Sequence, residues 1–241
     1  MIRKQIPNFV TILNLLSGCI SIVFAFGGNL ALASWFIGFA AVFDFLDGML
    51  ARWLEAKSPT GGQLDSLADV ISFGLAPAFI LYHLMLKSYN IPFLYFNDKN
   101  VYAFLAFLIP AFSALRLAKF NLDENQSDSF RGLPTPANAL FFASLPLVIL
   151  QSDKAGPETI SNLLKNFWLL LGFTVAFSLL MVSNIRLFSL KVKRIAFGEN
   201  RFRYILLVLA AVMFVAVKWY ALPLVVILYI LLSLLENIRN A

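Results

Sequence analysis

The sequence predicts an all-α protein, a polytopic bundle of about eight membrane-spanning helices. Three observations carry that reading. Hydrophobic residues make up 60% of the 241 and the mean hydropathy is +0.81, which is the composition of an integral membrane protein. Apolar runs of span length recur along the chain. The basic residues fall unevenly between those runs.

A span needs about 20 apolar residues, and eight segments fit: 9–26, 30–54, 62–86, 101–120, 136–150, 167–187, 204–217 and 220–235. Span one follows Pro7 and Asn8 and carries Thr11, Asn14 and Gly18 on one face. A polar stripe can therefore line the bundle, and the glycine permits close helix packing. Asn14 suits either a helix–helix hydrogen bond or a polar cavity. Spans two and three are joined by a short turn that Gly61 would keep open, and span three is expected as one helix to residue 86. Span four ends at Arg116-Leu-Ala-Lys119-Phe-Asn121, and a polar loop follows. Gly132-Leu-Pro134-Thr135-Pro136 then predicts a turn with Thr135 as N-cap and Pro136 as first helical residue of span five. Ser183, Asn184, Arg186, Lys191, Lys193 and Arg194 close span six, either as interfacial anchors or in contact with a substrate. Spans five and seven are short, so their ends are the least defined.

Charge placement orients the bundle. With both termini cytoplasmic, the inner segments hold fourteen of the nineteen Lys and Arg residues and the outer segments five, as the positive-inside rule requires. The start of the chain runs directly into span one with no cleavable-signal pattern. The net charge of +6 suits an anionic lipid surface; nucleic acid is a poor explanation, because the basic residues sit in short loops between spans. A single cysteine, Cys19, excludes an intramolecular disulfide and a thiolate metal cage. His83, the only histidine, lies about 21 Å along the helix from Asp69 and belongs to the outer interface. No internal repeat is evident, and one membrane domain is expected to cover residues 1–241.

The informative stretch runs from Asp44 to Asp69. With about 100° per residue, Asp47, Gly48, Ala51 and Arg52 lie about 60°, 40°, 20° and 80° from Asp44, so they make one narrow polar face. Asp65 and Asp69 share a second face one turn apart, with Ser72 between them one turn further on. Residues 30–43 hold no charge, and the only ionisable side chain in 70–86 is His83. Helical rise puts Asp47 and Asp44 about 10 and 15 Å inside the cytoplasmic face, and Asp65 and Asp69 about 6 and 12 Å inside. A carboxylate in a span costs about 2.5–3.5 kcal/mol and defaults to a functional role. Four neighbouring aspartates cannot all ionise without compensation, and Arg52 is the one base nearby. A divalent-metal site answers this best; a proton or ion relay and a structural hydrogen-bonded cluster are the alternatives. A site at that depth could admit a soluble head group from the cytosol while an attached lipid tail enters sideways.

The pattern Asp44-x2-Asp47-Gly48-x2-Ala51-Arg52-x8-Gly61-x3-Asp65-x3-Asp69 resembles, at every fixed position, the signature of the CDP-alcohol phosphatidyltransferase family. Pro7-Asn8-x2-Thr11-x2-Asn14-x3-Gly18, Ser72-Phe73-Gly74-x2-Pro77-Ala78, Arg116-Leu-Ala-x-Phe120-Asn121 and Gly132-Leu-Pro-Thr-Pro-Ala137 are similar to its bacterial and archaeal phosphatidylserine synthase branch. The resemblance implies transfer of a phosphatidyl group from CDP-diacylglycerol to the hydroxyl of L-serine with release of CMP, in a homodimer in the cytoplasmic membrane with the site open to the cytoplasm. It also implies a core of six spans, about 1–190, with the helices at about 200–236 as an extension. Two divalent ions, Mg2+ or Mn2+, are expected on Asp44, Asp47, Asp65 and Asp69. Asp65 and Asp69 form the catalytic pair, and Asp69 can act as general base. Asn8, Gly48, Ala51, Arg52, Thr60 and Gly61 are expected to take the CDP moiety. Arg116, Lys119, Asn121 and Lys191 are candidates for the serine pocket, because they bracket the cytoplasmic mouth. Glycerol 3-phosphate or an inositol phosphate is the rival acceptor within the family, and a cation transporter is the rival outside it.

Overall fold

The computed structural model describes residues 5–56, 58–122, 129–188 and 197–240. Helix α1 (Gln5–Phe26) turns at Gly27 and Gly28 into α2 (Leu30–Trp53), whose first turn is capped by Asn29 accepting from the Leu32 N–H at 3.2 Å. After a short reversal come α3 (Pro59–Asp69), a π-helical turn at Val70–Leu75 and α4 (Ala76–Leu86). A two-residue hairpin of β1 (Tyr95–Phe96) and β2 (Lys99–Asn100) leads to a 3-10 segment, Val101–Phe107, and α5 (Leu108–Leu122). Strand β3 (Ser129–Arg131) precedes α6 (Thr135–Ala155), α7 (Glu158–Leu164) and α8 (Phe167–Val182), and β4 (Arg186–Phe188) pairs antiparallel with β3. Helix α9 (Phe197–Val217), a 3-10 turn at Lys218–Tyr220 and α10 (Ala221–Asn240) complete the described chain.

Among the described residues, six helical stretches are long and apolar enough to cross a membrane: Gln5–Phe26, Leu30–Trp53, Pro59–Leu86, Val101–Leu122, Thr135–Ala155 and Arg201–Ile238. The last contains α9 and α10, which part at Lys218, where φ is +53°. Helix α8 is apolar but only 16 residues long. The protein is thus a multi-pass membrane protein, and each of the eight expected segments is helical over most of its length.

Three details depart from the sequence reading. Span three is interrupted: the Ala76 N–H donates to Ile71 O, five residues back, and Pro77 supplies no N–H to the ladder just beyond. Span six ends at Val182, not Leu187, because Gly132 and Leu133 occupy the carbonyls of Ile185 and Leu180 at 2.9 and 3.0 Å. Thr135 is a helical residue, not the N-cap; Pro134 holds that place and provides no side-chain cap. Lys191, Lys193 and Arg194 lie outside the described residues.

The core is built mostly on α4 and α6, whose apolar faces meet Ile37 and Ala40 of α2 and Leu170 and Phe177 of α8. Phe141 stacks on Phe177 with ring centroids 4.1 Å apart. Helix α1 contributes small polar residues instead: Thr11, Asn14, Ser17, Gly18 and Ser21 are all buried. A Cβ on Gly18 would come within 2.7 Å of the Ser72 Cα, so α1 can approach the π turn only through glycine there. The last two helices are fastened at the turn between them and midway along α10. Trp219 N–H donates to Gln151 Oε1 at 3.0 Å and the Tyr220 hydroxyl meets Ser152 Oγ at 2.7 Å; midway along α10 Tyr229 Oη donates to Phe188 O at 3.0 Å.

Gly132 has φ +74°, and a Cβ there would meet the Met181 carbonyl carbon at 2.9 Å. Gly132→Ala is expected to lose about 1–3 kcal/mol, read as a lower thermal midpoint in detergent. Gly172→Ala, where an added Cβ meets nothing within 4 Å, is expected to melt at or above the wild-type temperature.

Candidate active site

The site forms where α2 ends and α3 begins. Leu54 closes α2, Glu55 takes a positive φ of +51°, and the Ala56 N–H returns to Ala51 O at 2.9 Å. Ser58 then starts α3, its hydroxyl accepting the Gly61 N–H at 3.0 Å, with Pro59 as first helical residue. Gly61 is therefore part of the first helical turn and not of an open loop. The reversal lets two helices present carboxylates to the same space. Asp44, Asp47 and Asp65 can each offer one oxygen such that all three lie within 4.8 Å of one another.

Asp47 is buried and its Oδ2 has no hydrogen-bond partner among the described residues; Asp44 and Asp65 are half-buried. Three carboxylate oxygens at this spacing are the donor set that a hard divalent cation takes. Without a counter-charge their mutual repulsion and desolvation would oppose ionisation. The residues present fit such an ion.

Asp69 stands apart from this trio. It is buried one turn deeper on α3, and Asn14 Nδ2 donates to its Oδ1 at 3.3 Å. Ser72 Oγ in turn donates to Asn14 O at 2.9 Å. The Gly18 contact, the Ser72 hydrogen bond and the π turn together fix α1 against the carboxylate. The sequence placed Asn14 on the right face but left its partner open.

The nucleotide candidates cluster at the same end. A Cβ on Gly61 would lie 3.0 Å from Asn8 Oδ1, so Asn8 sits over the first turn of α3, beside exposed Thr60. A Cβ on Gly48 would meet only the Arg52 guanidinium, at 3.7 Å from Nη1. Gly48 is thus not demanded by helix packing, and it lies with half-buried Ala51 and exposed Arg52 on the face of α2 that carries Asp44 and Asp47.

The serine candidates do not form one group. Arg116 is turned inward, 7% exposed, with Nη1 donating to Thr135 Oγ1 at 3.3 Å and its guanidinium 5.8 Å from the Phe120 ring centroid. It does not bracket the mouth. Lys119 and Asn121 are exposed, and the Asn121 amide exchanges hydrogen bonds with Ser66 Oγ at 3.0 and 3.3 Å, next to Asp65. Lys191 lies outside the described residues. Ser66 and Thr135 were not singled out in the sequence as site residues. Ser66 follows Asp65 directly, but nothing local announces its partner 55 residues away.

The family model described as CDP-alcohol phosphatidyltransferase matches residues 4–180, and those residues hold the whole aspartate stretch. The chain belongs to the CDP-alcohol phosphatidyltransferase family. It is similar to the CDP-diacylglycerol–serine O-phosphatidyltransferase of Helicobacter pylori, 35% identical over 182 residues that cover 75% of this chain and 70% of the relative. The Bacillus subtilis protein of the same name is 36% identical over 147 residues, 61% of this chain and 75% of the relative. The archaetidylserine synthase of Methanothermobacter thermautotrophicus is 35% identical over 150 residues, 61% of this chain and 60% of the relative. This chain is an integral membrane protein with an acidic cluster able to hold a divalent cation.

The Asn14–Asp69 contact is open to a double-mutant cycle. Asn14→Ala is expected to lower unfolding stability by about 1–3 kcal/mol, as for leaving a buried acceptor without its donor. In an Asp69→Asn background its effect should shrink measurably. Additive losses in thermal melts would show that the two side chains do not depend on each other.

Proposed function

We propose that the protein is a phosphatidylserine synthase: it transfers the phosphatidyl group of CDP-diacylglycerol to the hydroxyl of L-serine and releases CMP. The observation that carries this reading is the three-carboxylate cluster at the junction of α2 and α3, in a chain whose similar relatives bear the name CDP-diacylglycerol–serine O-phosphatidyltransferase.

In this reading Asp44, Asp47 and Asp65 hold a pair of divalent ions, Mg2+ or Mn2+, with Asp69 near the second. Such ions neutralise pyrophosphate charge and stabilise attacking and leaving oxygens. Asn8, Gly48, Ala51, Arg52, Thr60 and Gly61 bind the CDP moiety: the small residues let it lie against α2, and the Arg52 guanidinium meets a phosphate. Asp69 takes the proton from the serine hydroxyl as general base, and Asn14 holds the carboxylate that does so. Asp65 completes the catalytic pair. Arg116, Lys119, Asn121 and Lys191 serve the acceptor. Arg116 does so from inside the bundle, and Asn121 through Ser66 beside Asp65.

In this reading the chain sits in the cytoplasmic membrane with both termini and the site facing the cytoplasm, as a homodimer. Residues 1–241 act as one domain, with a core to about 190 and α9 and α10 as an addition. Tyr229 supports the single domain, because it ties α10 to β4.

Purified protein in detergent with CDP-diacylglycerol and Mg2+ or Mn2+ is expected to release CMP only when serine is added. Release with glycerol 3-phosphate or an inositol phosphate in place of serine would move the chain to another branch of the family. Metal flux into liposomes without CMP would support a transporter. Asp69→Asn should keep CDP binding and lose turnover by at least about a hundredfold, the scale of general-base removal.

Gly48→Ala separates a ligand-facing glycine from a packing one. It is expected to leave the melting temperature unchanged or raise it, since alanine favours a helix by about 0.5–1 kcal/mol over glycine. CDP affinity, read by calorimetry, should fall. A lower melting temperature with unchanged CDP affinity would return Gly48 to a packing role.

A further inference from the structure

The polar interior extends past the aspartates into α6. Asn138 lies one turn beyond Thr135 and is fully buried, at 0% exposure. Neither its Oδ1 nor its Nδ2 has a hydrogen-bond partner among the described residues. Its backbone N–H already donates to Pro134 O at 3.1 Å, so the unmet capacity belongs to the side chain alone. A buried amide with nothing to bond is destabilising, and nothing in the apolar wall of Phe141, Phe142 and Leu145 around α6 calls for one.

Arg116 presents a matching vacancy from α5. Its Nη1 is engaged by Thr135, while its Nε is buried and without a partner. Residues 135 and 138 are about 60° apart around the helix and about 4.5 Å apart along it, so Asn138 projects from the side of α6 that meets Arg116. The π turn that follows Asp69 packs on α5, where a Cβ on Gly74 would lie 3.2 Å from Ser113 Cβ, three residues before Arg116. Two donor groups and one acceptor are thus buried without partners among the described residues where α5 and α6 meet.

That set complements a zwitterion. A carboxylate satisfies the Arg116 Nε–H and an Asn138 amide proton, and an ammonium satisfies Asn138 Oδ1. A phosphate-bearing acceptor would meet the donors but set an anion against Oδ1, and a neutral alcohol would leave the guanidinium unmet. We propose that Asn138 is a specificity-determining residue which, with Arg116, receives the α-ammonium and α-carboxylate of an amino-acid acceptor. The proposal rests on the serine-transfer reading above.

The test uses the full chain in detergent with Asn138→Leu and Asn138→Ala, reading the KM for serine, the KM for CDP-diacylglycerol and the melting temperature. The expected result is a serine KM raised tenfold or more in both variants and a CDP-diacylglycerol KM within twofold of wild type. Asn138→Leu should melt no lower than wild type, because it removes an unpaired amide while keeping the volume. A serine KM within threefold of wild type in a serine-dependent enzyme would overturn the assignment of Asn138 alone. A lower melting temperature with both KM values rising together would make Asn138 a residue of the fold and overturn the assignment too. Wild-type CMP release that ignores serine would overturn the acceptor reading, and this proposal with it.

Discussion

Several carboxylates held within helices that cross a membrane are the constraint to which the rest of the structure answers. Each would cost about 2.5–3.5 kcal/mol at the centre of a span, and three of them share a space less than 5 Å across by their nearest oxygens. Such a cluster persists only if charge is neutralised and if the surrounding helices keep lipid away. The stripe of small polar residues on α1 meets the second need: it lets the backbone come close to α3 and the π turn, and it brings Asn14 to Asp69.

The same constraint explains the irregular backbone. A regular helix from Pro59 to Leu86 would carry Asp69 and Ser72 in fixed phase with the apolar face of α4. The wider turn at Val70–Leu75 decouples them, so that Ser72 reaches Asn14 O while α4 keeps its packing in the core. π turns inside α-helices are frequent at functional sites, and this one begins at the residue after Asp69. On the other side of the site, the left-handed Gly132 and its bonds to the end of α8 set where α6 begins, and thereby where Thr135 meets Arg116.

Much of this was legible in the residues. The three- and four-residue steps of the aspartates fixed their common faces, because helical periodicity is a local property; apolar run length located every membrane-spanning segment to within a few residues at most ends. What the sequence could not give is what depends on distant partners. The break in span three follows from Pro77 and the contact with α1, and the early end of α8 from hydrogen bonds to residues some 50 positions away. Arg116 reads as an interfacial cation by its position near the end of a span, yet it turns inward because Thr135 offers it an acceptor. Asn121 pairs with Ser66 for the same kind of reason.

What neutralises Asp44, Asp47 and Asp65 decides whether this is a metal centre. Anomalous X-ray diffraction from crystals grown with Mn2+ and CDP measures it directly. The prediction is one or two manganese peaks ligated by oxygens of these three carboxylates, lost on Asp47→Asn. Manganese absent from the junction of α2 and α3, with the carboxylates satisfied by protein groups alone, would contradict it.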